Sequence, residues 1–351
     1  MCLTPNKLAT KFAKTAGTAL VAATLLSMAP VGALAAEVGF SELSIANGDQ
    51  RPLLVGIWYP TAAPAQQHPL GAYVQTVAPD APVLGEHLPL IVISHGNGGT
   101  YQNNYDTALA LVKAGFVAVA VTHTGDNHED QSRAVFVMDR PQHMHRLIDY
   151  MLSEWPDHAR IDANRVGVFG FSIGAFTALV AAGGIPDLSL TEAHSKAHPE
   201  YYDSQVAKRS GASPEAIATL RSKLSASTWV HDVRIKAVVA AAPALGYTFG
   251  LEGLKNIKVP IQLWRAGEDH ILPHPDYAEA VRIALPTPPE YHVVENADHF
   301  DFLAPCTDIL RQFAPMICVS RPGFDRAAFH QTFNAEVVRF FKETLKVEAD
   351  H

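Results

Sequence analysis

Apolar residues along this chain fall into short unbroken runs that alternate with segments of helical periodicity. Leu88 to Ser94 (LPLIVIS), Val117 to Val121, Val166 to Phe169, Ile235 to Ala241 and Val259 to Ala266 read as strands, and Tyr291 to Val294 is a shorter β-rich run. Between them, Tyr105 to Val112 reads as a helix lying on the sheet. Another helix starts at Asp139-Arg140-Pro141, with proline in its first turn and Met144, Leu147, Ile148 and Met151 turned inward. Phe324 to Leu345 closes the pattern as a long helix whose Phe329, Phe333, Val337, Phe340 and Phe341 recur at core spacing. Ahead of the first parallel strand, Leu43 to Ile45 and Leu53 to Trp58 flank Asn47-Gly48-Asp49 as a hairpin suited to an antiparallel edge. The chain then loosens from Pro60 to Pro69. This alternation predicts an α/β fold with a mostly parallel central sheet flanked by helices. Residues 183–232 interrupt it with a polar insertion, in which Ser213-Pro214-Glu215 opens a helix with Ile217, Leu220 and Leu224 on one side. Its place between the helix that follows Val166 to Phe169 and the next strand suits a cap over a site.

Candidate chemistry sits where these strands end. Val166 to Ala175 (VGVFGFSIGA) runs a buried-strand pattern into G-x-S-x-G, followed by Phe176, Leu179 and Val180 at helical spacing. Such a strand–turn–helix unit holds a serine on a sharp turn, with glycines where a Cβ would crowd the backbone, so Ser172 is the candidate nucleophile. Upstream, LPLIVIS ends in His95-Gly96-Asn97-Gly98-Gly99, and the backbone N–H groups of Asn97 and Ile173 are the candidate oxyanion donors. The glycine run lacks the Gly-Lys-Ser/Thr of a phosphate loop. Downstream, Gly267-Glu268-Asp269 follows the strand ending at Ala266, and Asp298-His299 follows the run ending at Val294. The chain order Ser172, Asp269, His299 gives nucleophile, acid and base, with Glu268 and Asp298 as competing carboxylates.

The segments SHGNGG, GFSIGA, AGEDHILP and ADHFDFLAPC, with Pro322-Gly323-Phe324-Asp325-Arg326, resemble bacterial dienelactone hydrolases, relatives of platelet-activating-factor acetylhydrolases. The resemblance covers most of the chain beyond residue 35. It implies an α/β-hydrolase fold, serine esterase activity on short acyl esters or lactones, and no metal or organic cofactor. Two departures stand out. Dienelactone hydrolases proper use a cysteine nucleophile where this chain has Ser172, and the plasma acetylhydrolases carry their acid after the preceding strand, where this chain has Ala241-Ala242-Pro243. Amide or carbon–carbon bond hydrolysis by the same triad, and a catalytically silent binding protein on the same fold, are the alternatives.

With 351 residues, 48% of them hydrophobic and 18% charged, the chain suits one large core, read as a single catalytic domain over residues 36–351. Residues 1–35 are set apart: Lys7, Lys11 and Lys14 precede an apolar run from Ala16 to Met28, and Ala33-Leu34-Ala35 ends it in small residues. That is the form of a signal peptide, too short and alanine-rich for a good membrane anchor, and it places the protein in the periplasm or outside the cell. Cys306 and Cys318 then remain as an even pair in an oxidising compartment, expected to form one disulfide. Beyond residue 35, Asp and Glu outnumber Lys and Arg by 11, which disfavours nucleic acid and anionic lipid surfaces as partners and leaves a small-molecule ester or lactone. The loop His123 to Asp130 (HTGDNHED) matches no metal-ligand spacing and reads as a polar rim.

Overall fold

The computed structural model describes residues 1–2, 36–201, 205–206, 211, 219 and 229–346. The chain divides into two compact units, Met1–Leu34 and Ala35–His351. Apart from Met1 and Cys2, the leader expected over residues 1–35 lies outside the described residues, as does the helix expected from Ser213. Among the described residues no helix is long and apolar enough to cross a membrane.

The second unit is built on a ten-stranded sheet. Its strands are β1 (Glu37–Ile45), β2 (Leu53–Thr61), β3 (Gln66–Leu70), β4 (Tyr73–Pro79), β5 (Leu88–Ser94), β6 (Val117–Thr122), β7 (Ile161–Phe171), β8 (Ile235–Ala241), β9 (Ile261–Ala266) and β10 (Glu290–Val294). Their spatial order is β10-β9-β8-β7-β5-β6-β2-β1-β4-β3. The run from β10 to β6 is parallel throughout, which is the mostly parallel core the apolar runs predict. Every residue of β5 is buried, as befits a strand covered on both faces.

Side chains alternate between two cores. Leu90, Val92, Val117, Val119, Val166 and Val168 enter one of them; Ile91, Ile93, Ala118, Ala120, Phe169 and Phe171 enter the other. On the first face lie α2 (Asp139–Ser153), through Met144, Leu147, Ile148 and Met151, and α3 (Ile173–Ala181), through Phe176, Leu179 and Val180. On the second lie α1 (Tyr105–Lys113), through Ala108, Leu111 and Val112, and a 19-residue helix, Arg326–Thr344, through Phe333, Val337, Phe340 and Phe341. Asp325 caps that last helix by accepting from the Ala328 N–H (3.0 Å), so it starts two residues after Phe324.

The N-terminal hairpin forms with Ile45 opposite Leu53, but it is not the edge of the sheet. A second hairpin, β3 with β4, continues outward from β1, and all of β3 but its last residue, Leu70, falls in the stretch read as a loosened connector. Gln66–Pro69 carries no hydrophobic alternation because β3 is the outermost strand, with four of its five residues not buried. Its partner β4 does alternate: Tyr73, Gln75 and Val77 turn inward, and buried Gln75 accepts from the Trp58 indole N–H at 2.7 Å. Of the 183–232 insertion, the described part includes one helix, Leu190–Ala197, which with the later helices Ala278–Ala284 and Asp308–Phe313 makes the long helix above the seventh; these are α4, α5, α6 and α7 in chain order.

Cys306 and Cys318 are joined across a separation of 12 residues. The loop so closed is also tied down by Arg326 at the start of α7, which donates to the Ile317 carbonyl (2.8 Å) and to fully buried Asp301 (3.0 Å). A closed loop of this length stabilises a fold by about 3 kcal/mol in the chain-entropy description. The double change Cys306→Ala/Cys318→Ala should therefore lower the unfolding free energy by roughly that amount, about 3 kcal/mol, in urea titration. Equal midpoints for oxidised and reduced protein would show that loop closure adds nothing.

Candidate active site

Ser172 stands between β7 and α3 with φ 57° and ψ −121°, a left-handed conformation that a non-glycine residue adopts only when its surroundings force it. The surroundings do so through backbone contact. A Cβ at Gly170 would overlap the carbonyl of Gly174, and a Cβ at Gly174 would overlap the carbonyl of Ser94 at the end of β5. The Ser172 N–H donates to the Ala241 carbonyl (2.9 Å), and the Ser172 carbonyl accepts from the Ala244 N–H (3.1 Å). The serine is thus pinned to β8 on one side while α3 packs against β5 on the other.

Asp269 follows β9, and His299 opens a short 3₁₀ turn, His299–Phe302, after β10. All three side chains are nearly buried, at 8% exposure for Ser172, 9% for Asp269 and 2% for His299. His299 Nε2 lies 3.0 Å from Ser172 Oγ, and His299 Nδ1 lies 2.8 Å from Asp269 Oδ2. Asp269 Oδ1 accepts from the N–H groups of Ile271 (3.0 Å) and Leu272 (2.7 Å), which leaves Oδ2 to accept the Nδ1–H of the imidazole. That tautomer presents an unprotonated Nε2 to the serine hydroxyl.

The competing carboxylates point elsewhere. Asp298 accepts from the backbone N–H groups of His299 (2.7 Å) and His270 (3.2 Å) and from the His270 ring, and it caps the 3₁₀ turn. Glu268 is half-exposed, 3.9 Å from Arg321. A carboxylate one residue from a histidine in an N-cap binds backbone amides rather than the neighbouring ring.

A cavity of about 80 Å³ opens beside Ser172 and His299. Gly96 to Gly99 form one wall, Asn97 included, and Ile271, Phe300, Leu303 and Ile317 give it apolar sides. Ile173 is the first residue of α3, so its N–H is among those a helix leaves without an internal acceptor. A larger hollow of about 490 Å³, around Cys306, Cys318 and Arg326, is lined by none of Ser172, Asp269 or His299. The small cavity is the relevant one, because the polar atoms meet there.

Beneath the glycine loop lies a polar network that the strand pattern does not announce. Arg140, only 2% exposed, donates to Asp126 Oδ2 (2.8 Å), to the His95 carbonyl (2.8 Å) and to the Gly96 carbonyl (3.3 Å). Asp126 Oδ1 accepts from the Asn97 side-chain amide (2.6 Å) and the Gly98 N–H (3.1 Å). Both sides of the loop are therefore held by one buried ion pair. The loop His123 to Asp130 is consequently not a uniform polar rim: His123 and Asp126 are buried beneath the site, while His128 and Glu129 remain outside. Arg140 and His143 share the inward face of α2 with Met144 and Leu147, and a charge on an apolar helical stripe is the signal that would have revealed them.

Three imidazoles continue the network. His143 lies 3.1 Å from His123 between Nδ1 atoms, and His123 Nε2 lies 2.8 Å from Ser94 Oγ. His95 Nδ1–H donates to the Gly96 carbonyl (2.6 Å), while its Nε2 accepts from the His123 N–H (3.0 Å). Burial, reinforced by the Arg140 charge, holds His95 and His123 well below the usual imidazole range. Burial pushes His143 down to about 3.

Residues 72–218 match the Dienelactone hydrolase family. A 108-residue stretch, 29% of this chain, is 31% identical to a probable 2-oxo-3-(5-oxofuran-2-ylidene)propanoate lactonase from Bradyrhizobium sp., and it spans 43% of that relative's length. A ferulic acid esterase from Streptomyces cinnamoneus superposes with TM-score 0.56 at 18% identity, over 92% of this chain and 94% of that one. The chain has the α/β-hydrolase fold, and the proteins it resembles here are one lactonase, in part of its sequence, and one esterase, in fold.

The neutral imidazoles make stability depend on pH in a defined direction. The unfolded chain protonates histidine near its ordinary value of about 6.5, whereas the buried rings take up protons only far below it. Stability should be complete above that value and fall as pH drops towards 3, the value to which His143 is pushed. Carboxylates titrate mostly below about 4.5, so a decline already present between about 6.5 and 4.5 belongs to the histidines. Thermal unfolding measured across this interval should show it; a flat profile would contradict burial of three neutral rings.

Proposed function

We propose that this protein is an exported serine carboxylic-ester hydrolase that acts through an acyl-enzyme on short-chain esters or lactones. The observation that carries this reading is the relay from Ser172 Oγ to His299 Nε2 (3.0 Å) and from His299 Nδ1 to Asp269 (2.8 Å), with the serine on a strained strand-to-helix turn. In the first half-reaction Nε2 takes the Oγ proton as the oxygen attacks the ester carbonyl. The carbonyl oxygen becomes an alkoxide, which the Asn97 and Ile173 N–H groups stabilise. Collapse restores the carbonyl and expels the alcohol oxygen, which receives the proton from Nε2. Water then attacks the acyl carbonyl as His299 takes its proton; on collapse the bond to Ser172 Oγ breaks, Oγ regains the proton from Nε2, and the carboxylic acid leaves. Asp269 supports the transient imidazolium and keeps the proton on Nδ1.

The space beside the serine favours short acyl groups. The cavity beside Ser172 is about 80 Å³ with apolar walls. A space of this size, with apolar sides next to the serine hydroxyl, suits a short acyl group. The family match and the lactonase relative support intramolecular esters as a second substrate form. The leader pattern of residues 1–35 and the Cys306–Cys318 bridge support export.

Rates on a series of p-nitrophenyl esters, matched lactones and matched amides test the reading. kcat/KM should peak at short acyl chains, and amides should be far slower. Ser172→Ala should retain the fold while losing both ester turnover and labelling by a fluorophosphonate. Asp269→Asn should lower kcat by about 10⁴-fold through the wrong imidazole tautomer, whereas Glu268→Gln and Asp298→Asn should cost far less. A crippled Asp298→Asn beside an active Asp269→Asn would overturn the third member of the relay.

A further inference from the structure

Two cavities border the loop closed by Cys306 and Cys318. Ile317 and Leu303 line the small one, which holds Ser172 and His299. Cys318, the next residue after Ile317, lines instead the larger hollow of about 490 Å³, as do Pro305 and Cys306 a little beyond Leu303. Successive Cα atoms are about 3.8 Å apart, so the two spaces approach within about one residue of each other at this point. Ile309, Phe313, Met316 and Val319 are exposed nearby, whereas Ile317 is set against the small cavity.

The backbone of Ile317 is fixed from several sides. It ends the 3₁₀ turn Pro315–Ile317, and its N–H donates to the Ala314 carbonyl (3.2 Å). Arg326, which lines the larger hollow, donates from one terminal nitrogen to the Ile317 carbonyl (2.8 Å) and from the other to the Val319 carbonyl (3.4 Å). Its Nε–H donates to buried Asp301 (3.0 Å), which stands two residues after His299 in the same short turn. Asp301 also accepts from the Ser320 hydroxyl and, through Oδ2, from the Asp298 N–H (2.8 Å). One buried arginine–carboxylate pair therefore ties the turn that carries His299 to the turn that carries Ile317. The Cys306–Cys318 bridge closes the loop beside that tie.

We infer that Ile317 determines acyl-chain length: its side chain is the partition between the Ser172 cavity and the larger hollow, held in place by Arg326 and the disulfide. The inference rests on the ester-hydrolase reading and names what limits its substrates. With Ile317 in place, an acyl group on Ser172 is confined to about 80 Å³. Past that side chain, a longer alkyl chain would run by the bridge into the hollow bordered by Pro305 and Phe324. A methylene that a pocket cannot house costs roughly tenfold or more in kcat/KM, so one wall suffices to set the optimum.

The test is the acyl-chain profile of kcat/KM on p-nitrophenyl acetate, butyrate, hexanoate and octanoate, with folding checked by circular dichroism. Ile317→Ala should raise the octanoate-to-acetate ratio by about tenfold or more, and Ile317→Phe should move the profile the other way, lowering butyrate against acetate. Cys306→Ala/Cys318→Ala, assayed well below its unfolding midpoint, should shift the ratio in the direction of Ile317→Ala, because the loop then holds its wall less firmly. Phe313→Ala, in the same loop but exposed, should keep the parental profile. Labelling of Ser172 by fluorophosphonates of matching alkyl lengths separates this inference from the reading beneath it. No labelling of the parent at any length would overturn the serine reading and this inference with it. Labelling at Ser172 with the same length dependence in the parent and in the folded Ile317 variants would overturn this inference alone. An unchanged profile in the cysteine variant would overturn the part assigned to the bridge.

Discussion

The backbone contact between Gly174 and the end of β5 constrains the rest of the structure. It forces Ser172 into a positive φ, which turns the chain from β7 directly into α3 and lifts the serine side chain above the strand ends. No side chain can be inserted at this crossing, so β5 and β7 must be neighbours with their C-terminal ends level. Once they are, the glycine loop after β5 borders the same cavity as Ser172. The strain is balanced by the hydrogen bonds from Ser172 N–H to β8 and from Ala244 N–H back to the Ser172 carbonyl.

A second constraint acts on that loop from below. A glycine-rich segment has many backbone conformations to lose, and its own residues supply little packing to hold it. Arg140 and Asp126 supply the missing order by binding both carbonyl and N–H groups of the loop. A buried ion pair is an expensive way to gain stability, because desolvation offsets most of the Coulomb attraction. It is better understood here as a means of fixing geometry, and the neutral His95, His123 and His143 around it satisfy the remaining polar atoms without adding charge.

Much of the fold was legible as period and punctuation. The parallel strands are buried on both faces, so they appear as continuous apolar runs, and the helices between them bury one stripe each. The pattern faded where burial did. Strand β3 is polar because it is the outermost strand, and its existence depends on β4 and β1 beside it. For the same reason the first hairpin looked like an edge: nothing local to Leu43–Trp58 records that another hairpin continues the sheet beyond it.

The candidate site divides along a similar line. Sequence alone determined that a serine on a glycine-flanked turn, an acid after one strand and a histidine after the last would lie at strand ends, since chain order and strand direction place them there. Only the tertiary structure decided which carboxylate faces His299. Chain order favoured Asp269 over Glu268 and Asp298, but the contact itself turns on side-chain direction: Asp298 is drawn to backbone amides, Glu268 to the surface and Asp269 to the ring. Tertiary structure likewise decided that Arg140, Asp126, His123 and His143 meet beneath the glycine loop, although they come from different elements. Periodicity records whether a position is buried, but a polar residue is stable in a buried position only beside a specific partner, and partners distant in sequence are brought together by the packing of the whole sheet.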